Sequence, residues 1–196
     1  IIVRFYRIRG RDGGMMQYET SVCFSGYRAE KFPFPLQRGN EAFEAFRKLL
    51  RQTILDAVND GYDTFYTGAC YGFDIAAGEE VLSLKRERGL SLRLIAVLPF
   101  ENQAQLWSER WRDRYFAMLE SCDNVVTIQP RYTRGCYQRR NEYMVNRSSR
   151  LICYYTGQPG GTQNTVEAAE KLGLEIVILS GQDSEPSNIL SFHQDA

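Results

Sequence analysis

A chain of 196 residues is long enough for one sizeable hydrophobic core and short for two, and 43% apolar with 24% charged residues excludes a disordered or fibrous polypeptide. Its 24 basic and 24 acidic residues cancel, so no global field steers it toward nucleic acid or an anionic membrane. Five scattered cysteines and a single histidine, with no Cys-x-x-Cys pair, argue against zinc and against a disulfide framework, and no run reaches the roughly 18 consecutive apolar residues of a membrane span.

The opening IIVRFYRIRGRDGG is basic, ends in glycine and precedes Met15-Met16. Residues 1–16 therefore read as a non-native or flexible extension, with an added edge strand from Ile1 to Ile8 as the competing reading. The domain is expected over 17–182. TSVCFSG (20–26) is a short apolar run suited to a strand buried on both faces. After the proline-broken FPFPLQRG, Asn40 is a good helix cap, and Phe43, Phe46, Leu50, Ile54, Ala57 and Val58 recur at helical spacing up to a stop at Gly61. DTFYTG (63–68) predicts the second strand. DIAAGEEVLSLKRERG (74–89) predicts the second helix, closed by its glycine, with Asp74 available to cap it.

LRLIAVLPF (92–100) is the third strand, and QAQLWSERWRDRYFAMLESC (103–122) predicts a helix with Trp107, Trp111, Tyr115 and Met118 on one core-packed face. NVVTI (124–128) is the fourth strand, 134–148 the fourth helix and LICYYTG (151–157) the fifth strand. GGTQNTVEAAEKLG then reads as a helix leading to a last strand, LEIVILS (174–180), and residues 183–196 as a polar tail. Strand alternating with helix about six times predicts an α/β fold. The expectation is a single three-layer domain with a mainly parallel sheet of about six strands and helices on both faces.

In such open sheets ligands sit beyond the carboxyl ends of the strands. Three of those ends carry glycine and hydroxyl residues: SGYR (25–28), TGACYGFD (67–74) and GQPGGTQNT (157–165). In the last, Gly160 and Gly161 let the backbone approach a ligand and deliver Thr162 to a helix start, where unpaired amides and the helix dipole form an anion seat. Thr162 and Thr165 add hydroxyls, and Glu167 lies a turn deeper, on one face with Gln163. Gly68, Ala69 and Gly72 offer a second set of small residues and amides. Of the chain's 24 cations 20 are arginine, and six of them (Arg131, Arg134, Arg139, Arg140, Arg147, Arg150) fall within 131–150. The arginine fork suits phosphate better than lysine does.

TGACYGFDIAA resembles the strand-loop-helix motif of the DNA-processing protein A (Smf) Rossmann domain, roughly Ser-Gly-x-Ala-x-Gly-Ile-Asp followed by small residues. RRNEYMVNRSSRLICYY (139–155) is similar to that family's Arg-Asn segment, GGTQNTVEAAEKLG to its Gly-Ser-x-x-Thr helix start, and CFSGYR to its first strand and Gly-x-Arg turn. The PGG with Glu167 is also similar to the LOG-type phosphoribohydrolases. The chain is thus identified as a member of the SLOG superfamily, most like the YpsA-like proteins, which LPFENQAQLW (98–107) also resembles. The resemblance covers residues 20–180. It implies a Rossmann-like sheet and a pocket for a nucleotide-derived ligand, lined by Gly26, Tyr27, Arg28, Thr67, Gly68, Ala69, Gly72, Arg140, Asn141, Gly160, Gly161, Thr162 and Thr165.

The expected function is binding of a nucleotide or nucleotide-derived small molecule, as a signal sensor. An alternative is a nucleoside-monophosphate phosphoribohydrolase with Glu167 catalytic, although Gln163-Asn164-Thr165 and Val166 depart from that family's Gly-Thr and paired acids. A third reading is single-strand nucleic-acid binding through Arg131 to Arg150 and exposed tyrosines. The expected partner is the small ligand, with nucleic acid less favoured, no membrane, no metal, no assured cofactor and homo-oligomerisation left open. The expected location is the cytoplasm.

Overall fold

The computed structural model describes residues 2–6 and 19–180. Six parallel strands, Ser21–Gly26 (β2), Thr64–Thr67 (β3), Arg93–Leu98 (β4), Asn124–Thr127 (β5), Arg150–Tyr154 (β6) and Glu175–Ser180 (β7), form the body of the sheet. Ile2–Tyr6 (β1) adds an edge strand antiparallel to β7, with Ile2 opposite Ser180. The order is β1-β7-β6-β2-β3-β4-β5. The chain builds outward from β2 through β3, β4 and β5, then returns to β6 on the other side of β2. The strand order therefore reverses between β2 and β6, where a crevice must open.

The helices are Glu41–Asn59 (α1), Phe73–Arg88 (α2), Glu109–Ser121 (α3), Cys136–Val145 (α4) and Gly161–Lys171 (α5). Helices α1, α2 and α3 pack side by side in one layer, and α4 packs against α5 in the other. Asn40 caps α1, its Oδ1 accepting from the Phe43 amide at 3.0 Å, and the stripe Phe43, Phe46, Leu50, Ile54 and Ala57 is buried against the core. Helix α2 is buried on most of its sides, with Asp74, Glu80 and Ser83 among the buried residues, because it lies between α1 and α3. A Cβ on Gly78 would sit 2.5 Å from Met118 Sδ, so the glycine sets how closely α3 approaches. Gly89, in the left-handed region, ends α2 as its sequence predicts.

Two expectations are corrected. The helix predicted over 103–122 begins only at Glu109. Residues 101–107 instead turn back over the end of β4, burying Gln103 and Ala104 and setting Trp107 against Tyr71 and Tyr115. Asp74 does not cap α2. Gly72 occupies the cap position, and Asp74 lies inside the first turn with its side chain buried. The polar tail over 183–196 lies outside the described residues. No described helix is long and apolar enough to cross a membrane.

Candidate functional site

A cleft of about 550 Å³ opens where the strand order reverses. Its walls are the end of β2 with the segment after it (Ser25 to Lys31), Cys70 and Tyr71 after β3, Asp74 in the first turn of α2, the inner face of α4, and Pro159 to Thr162 at the start of α5. The α5 wall is bare backbone. Gly160 (φ 144°) stands at the cap position with no side chain closing the helix, and a Cβ on Gly161 would meet nothing within 4 Å. The first intrahelical bond runs from the Asn164 amide to the Gly160 carbonyl, so the amides of the first turn have no acceptor within the helix.

The turn ahead of α5 is held in place from across the cleft. Tyr27 is 6% exposed, and its phenol oxygen accepts from the amides of Thr156 and Gln158, both at 3.1 Å. From behind, Asn141 Nδ2 donates to Thr165 Oγ1 at 2.9 Å, and that hydroxyl donates to the Gly161 carbonyl at 2.8 Å. Thr165 thus fastens α4 to α5 and is buried, a support for the turn and not part of the cleft wall.

Arg140 enters the cleft from α4. It is 5% exposed, yet its Nε and Nη1 have no hydrogen-bond partner. Its nearest anion is Asp74, with Nη1 3.6 Å from Oδ2, too far for a hydrogen bond. Burial pushes the Asp74 carboxyl up to about 6, with Arg140, the Cys70 amide and Arg28 pulling the other way. The pair fits because residue 68 has no side chain: a Cβ on Gly68 would overlap the Arg140 guanidinium and lie 2.6 Å from Asp74 Oδ2. Two further cations face the same space. Arg28 stands between the rings of Tyr71 and Tyr137, 5.4 and 5.6 Å from their centroids, and Lys31 Nζ lies 3.9 Å from the Cβ position of Gly160. Of the two acids at the cleft, Asp74 faces Arg140 and Glu30 accepts from the Tyr71 hydroxyl at 2.7 Å. The balance is positive and next to a helix N-terminus, an arrangement that attracts an oxyanion.

Gly26, Tyr27, Arg28, Arg140, Asn141, Gly160, Gly161 and Thr162 line this cleft together. The other predicted positions lie beneath it. Thr67 is fully buried, donating to the Asp74 carbonyl at 2.9 Å and accepting from the Ala69 amide at 3.2 Å. Ala69 is buried at φ 50°, and Gly72, at φ 117°, touches the backbone of Tyr27 and Arg28. Glu167 is exposed on a different face of α5, accepting from Gln163 and opening onto a neighbouring groove between α4 and α5 that shares Tyr137, Asn141 and Gly161 with the cleft. The structure does not bring it to the cleft. The buried positions Thr162, Thr165, Val166 and Ala169 define the inward stripe, and 167 falls about 100° beyond 166.

Lys31, Cys70, Tyr71 and Tyr137 join the cleft without having been read from the sequence. Tyr137 was findable, since it precedes Arg140 by one helical turn. Tyr71 stands within TGACYGFD but has no distinguishing spacing there, and Lys31 lies outside all three of the strand-end motifs. Burial pushes the Cys70 thiol up, with Asp74 adding to the rise and Arg140 and Arg28 opposing it. Of the six clustered arginines, only Arg140 reaches the cleft. Arg150, equally buried, is held by Asp60 and Glu175 at the start of β6. Among the described residues no cluster of histidine, cysteine or acidic side chains has the arrangement of a metal site.

The YpsA family model, described as the YspA SLOG family, matches residues 22–182. A UPF0398 protein of Halalkalibacterium halodurans is 29% identical over 153 residues, covering 76% of this chain and 80% of its own length. One from Bacillus thuringiensis is 27% identical over 158 residues, covering 78% and 83%. Among solved structures, DNA processing protein A from Helicobacter pylori, whose description reports a single-stranded DNA binding mode, is similar at TM-score 0.55 and 14% identity, over 85% of this chain and 68% of that one. The DprA of Streptococcus pneumoniae is similar at TM-score 0.54 and 16% identity, over 88% and 52%. The chain spans about half the length of the latter, and at these identities the likeness is one of fold.

Proposed function

The chain belongs to the YpsA family of SLOG proteins, and from that premise we propose that it binds a nucleotide or nucleotide-derived small molecule in the cleft between β2 and β6, as a sensor acting in the cytoplasm. The observation that carries this reading is Arg140. A guanidinium 5% exposed with two nitrogens unbonded is costly to keep, and an incoming oxyanion supplies the missing acceptors. The open α5 turn lies on the same cleft, so one anionic group can be met by the arginine fork and by backbone amides. Tyr71 and Tyr137, already in contact with the Arg28 guanidinium, offer ring faces to the remainder of such a molecule.

Neither alternative has comparable support. Glu167 lines a groove that shares Tyr137, Asn141 and Gly161 with the cleft but does not include Arg140, which weighs against N-glycosidic cleavage at the cleft. The single-stranded DNA binding described for the Helicobacter pylori protein is a competing partner class, set against a chain of zero net charge.

The test is mass spectrometry of whatever small molecule copurifies, followed by thermal shift against nucleoside monophosphates, cyclic nucleotides, ADP-ribose, NAD and a short single-stranded oligonucleotide. Stabilisation by a member of the small-molecule set in the wild type and its loss in Arg140→Met is the expected result. No stabilisation by any of them overturns the proposal. A shift by the oligonucleotide alone, falling steeply with salt, replaces it with nucleic-acid binding.

A further inference from the structure

We infer that anion binding in this cleft is coupled to the uptake of one proton by Asp74, which shares Arg140 with the ligand; the inference rests on the ligand reading above. The geometry gives one guanidinium two claimants. Arg140 Nη1 stands 3.6 Å from Asp74 Oδ2 without a hydrogen bond, and the bare backbone at Gly68 is what lets the two side chains meet. Asp74 is 5% exposed, so little solvent screens it from a charge arriving on the cleft side of Arg140.

The groups facing Asp74 come from several elements. Arg140 comes from α4, Arg28 from the segment after β2, and the Cys70 amide from its own loop, donating to Oδ2 at 3.4 Å. The Gly26 amide faces it from the end of β2, with the fully buried Cys23 thiol deeper in that strand. Cys70, Tyr71 and Tyr137, the other titratable neighbours of the two arginines, are pushed up from ordinary values of 9.0 for the thiol and 10.0 for the phenols and stay protonated below pH 8. Asp74 is then the group near Arg140 that changes charge close to neutrality, since burial holds its carboxyl at about 6 before any ligand arrives.

A second negative charge a few ångströms away disfavours the ionised carboxylate further, so the bound state holds its proton to a higher pH than the empty one. The sign follows from linkage. The ligand-bound protein carries more protons than the free protein between about 6 and the higher bound-state value, so affinity falls as pH rises through that interval. Below about 6 the free protein already carries the proton, and affinity levels off.

Sulfate serves as the probe because its charge is constant across this range, unlike that of a phosphate monoester. In the wild type its dissociation constant should weaken by up to about tenfold per pH unit between about pH 6 and about pH 8. Titration calorimetry near neutrality, in two buffers of different ionisation heat, should count between zero and one proton taken up per sulfate. Asp74→Asn keeps an oxygen for the Cys70 amide, and should bind sulfate with no proton uptake and a flat pH profile. Sulfate binding without proton uptake in the wild type, or uptake that persists in Asp74→Asn, overturns this inference and leaves the ligand reading standing. Absence of sulfate binding across the whole interval from about pH 6 to about pH 8 overturns the two together.

Discussion

Replacing Gly68 by alanine should loosen the Arg140–Asp74 pair and so shift Arg140 in the cleft wall. The added methyl overlaps the guanidinium and lies 2.6 Å from the carboxylate, so the arginine, the more extensible of the two, retreats into the open cleft. At the observed 3.6 Å the attraction is roughly 5 kcal/mol for an effective dielectric of about 20, and a retreat of ~3 Å removes about half of it. The expected loss is therefore about 2 kcal/mol near pH 7.5, or a Tm lower by roughly 4–8 °C for a chain of this size. The loss also depends on pH. Because Asp74 is raised from 3.8 to about 6 in the folded protein, the stability it contributes is fully present below 3.8 and lost as pH rises through about 6. With Arg140 displaced, that carboxyl rises further, so variant and wild type should converge near pH 5, where both hold the proton. Calorimetric melts at the two pH values test this. An unchanged Tm at pH 7.5, or an equal loss at both, would refute the claim that Gly68 exists to seat this pair.

The remaining predictions probe the walls of the cleft. Tyr27→Phe removes the acceptor shared by the Thr156 and Gln158 amides, and should cost roughly 1–2 kcal/mol while accelerating hydrogen exchange at both amides and weakening the ligand; unchanged exchange would show that the turn is held by other contacts. Glu167→Gln alters an exposed side chain outside the cleft, so stability should stay within about 0.5 kcal/mol and ligand affinity should not move. Lost binding in that variant would relocate the ligand to the groove between α4 and α5.

The alternation of apolar strands and amphipathic helices was legible because each element buries a face whose period the sequence repeats, as the stripe from Phe43 to Ala57 and the closing Gly89 show. Residues 103–108 keep helical spacing yet stand outside the helix, because Gln103 and Trp107 are placed by Ala69 and Tyr71, more than 30 positions earlier. Periodicity states that a face is buried, not which neighbour buries it. The same limit governs the cleft. Gly160 and Gly161 announced the α5 turn, but the role of Asp74 depends on an arginine 66 positions later, and a local reading gives an acid near a helix start only the function of a cap. Glu167 is the opposite case, since the inward stripe of Thr162, Thr165, Val166 and Ala169 already turned it away.

The antiparallel bridge between Arg28 and Gly72 joins two rims of the cleft by their backbones, with the Phe73 amide donating to the Tyr27 carbonyl at 3.1 Å and no room at Gly72 for a side chain. Walls riveted to one another in advance need no ordering when a guest arrives, so the energy of its contacts goes into affinity and not into assembling the host. Discrimination among guests then falls, along that edge, to size and charge.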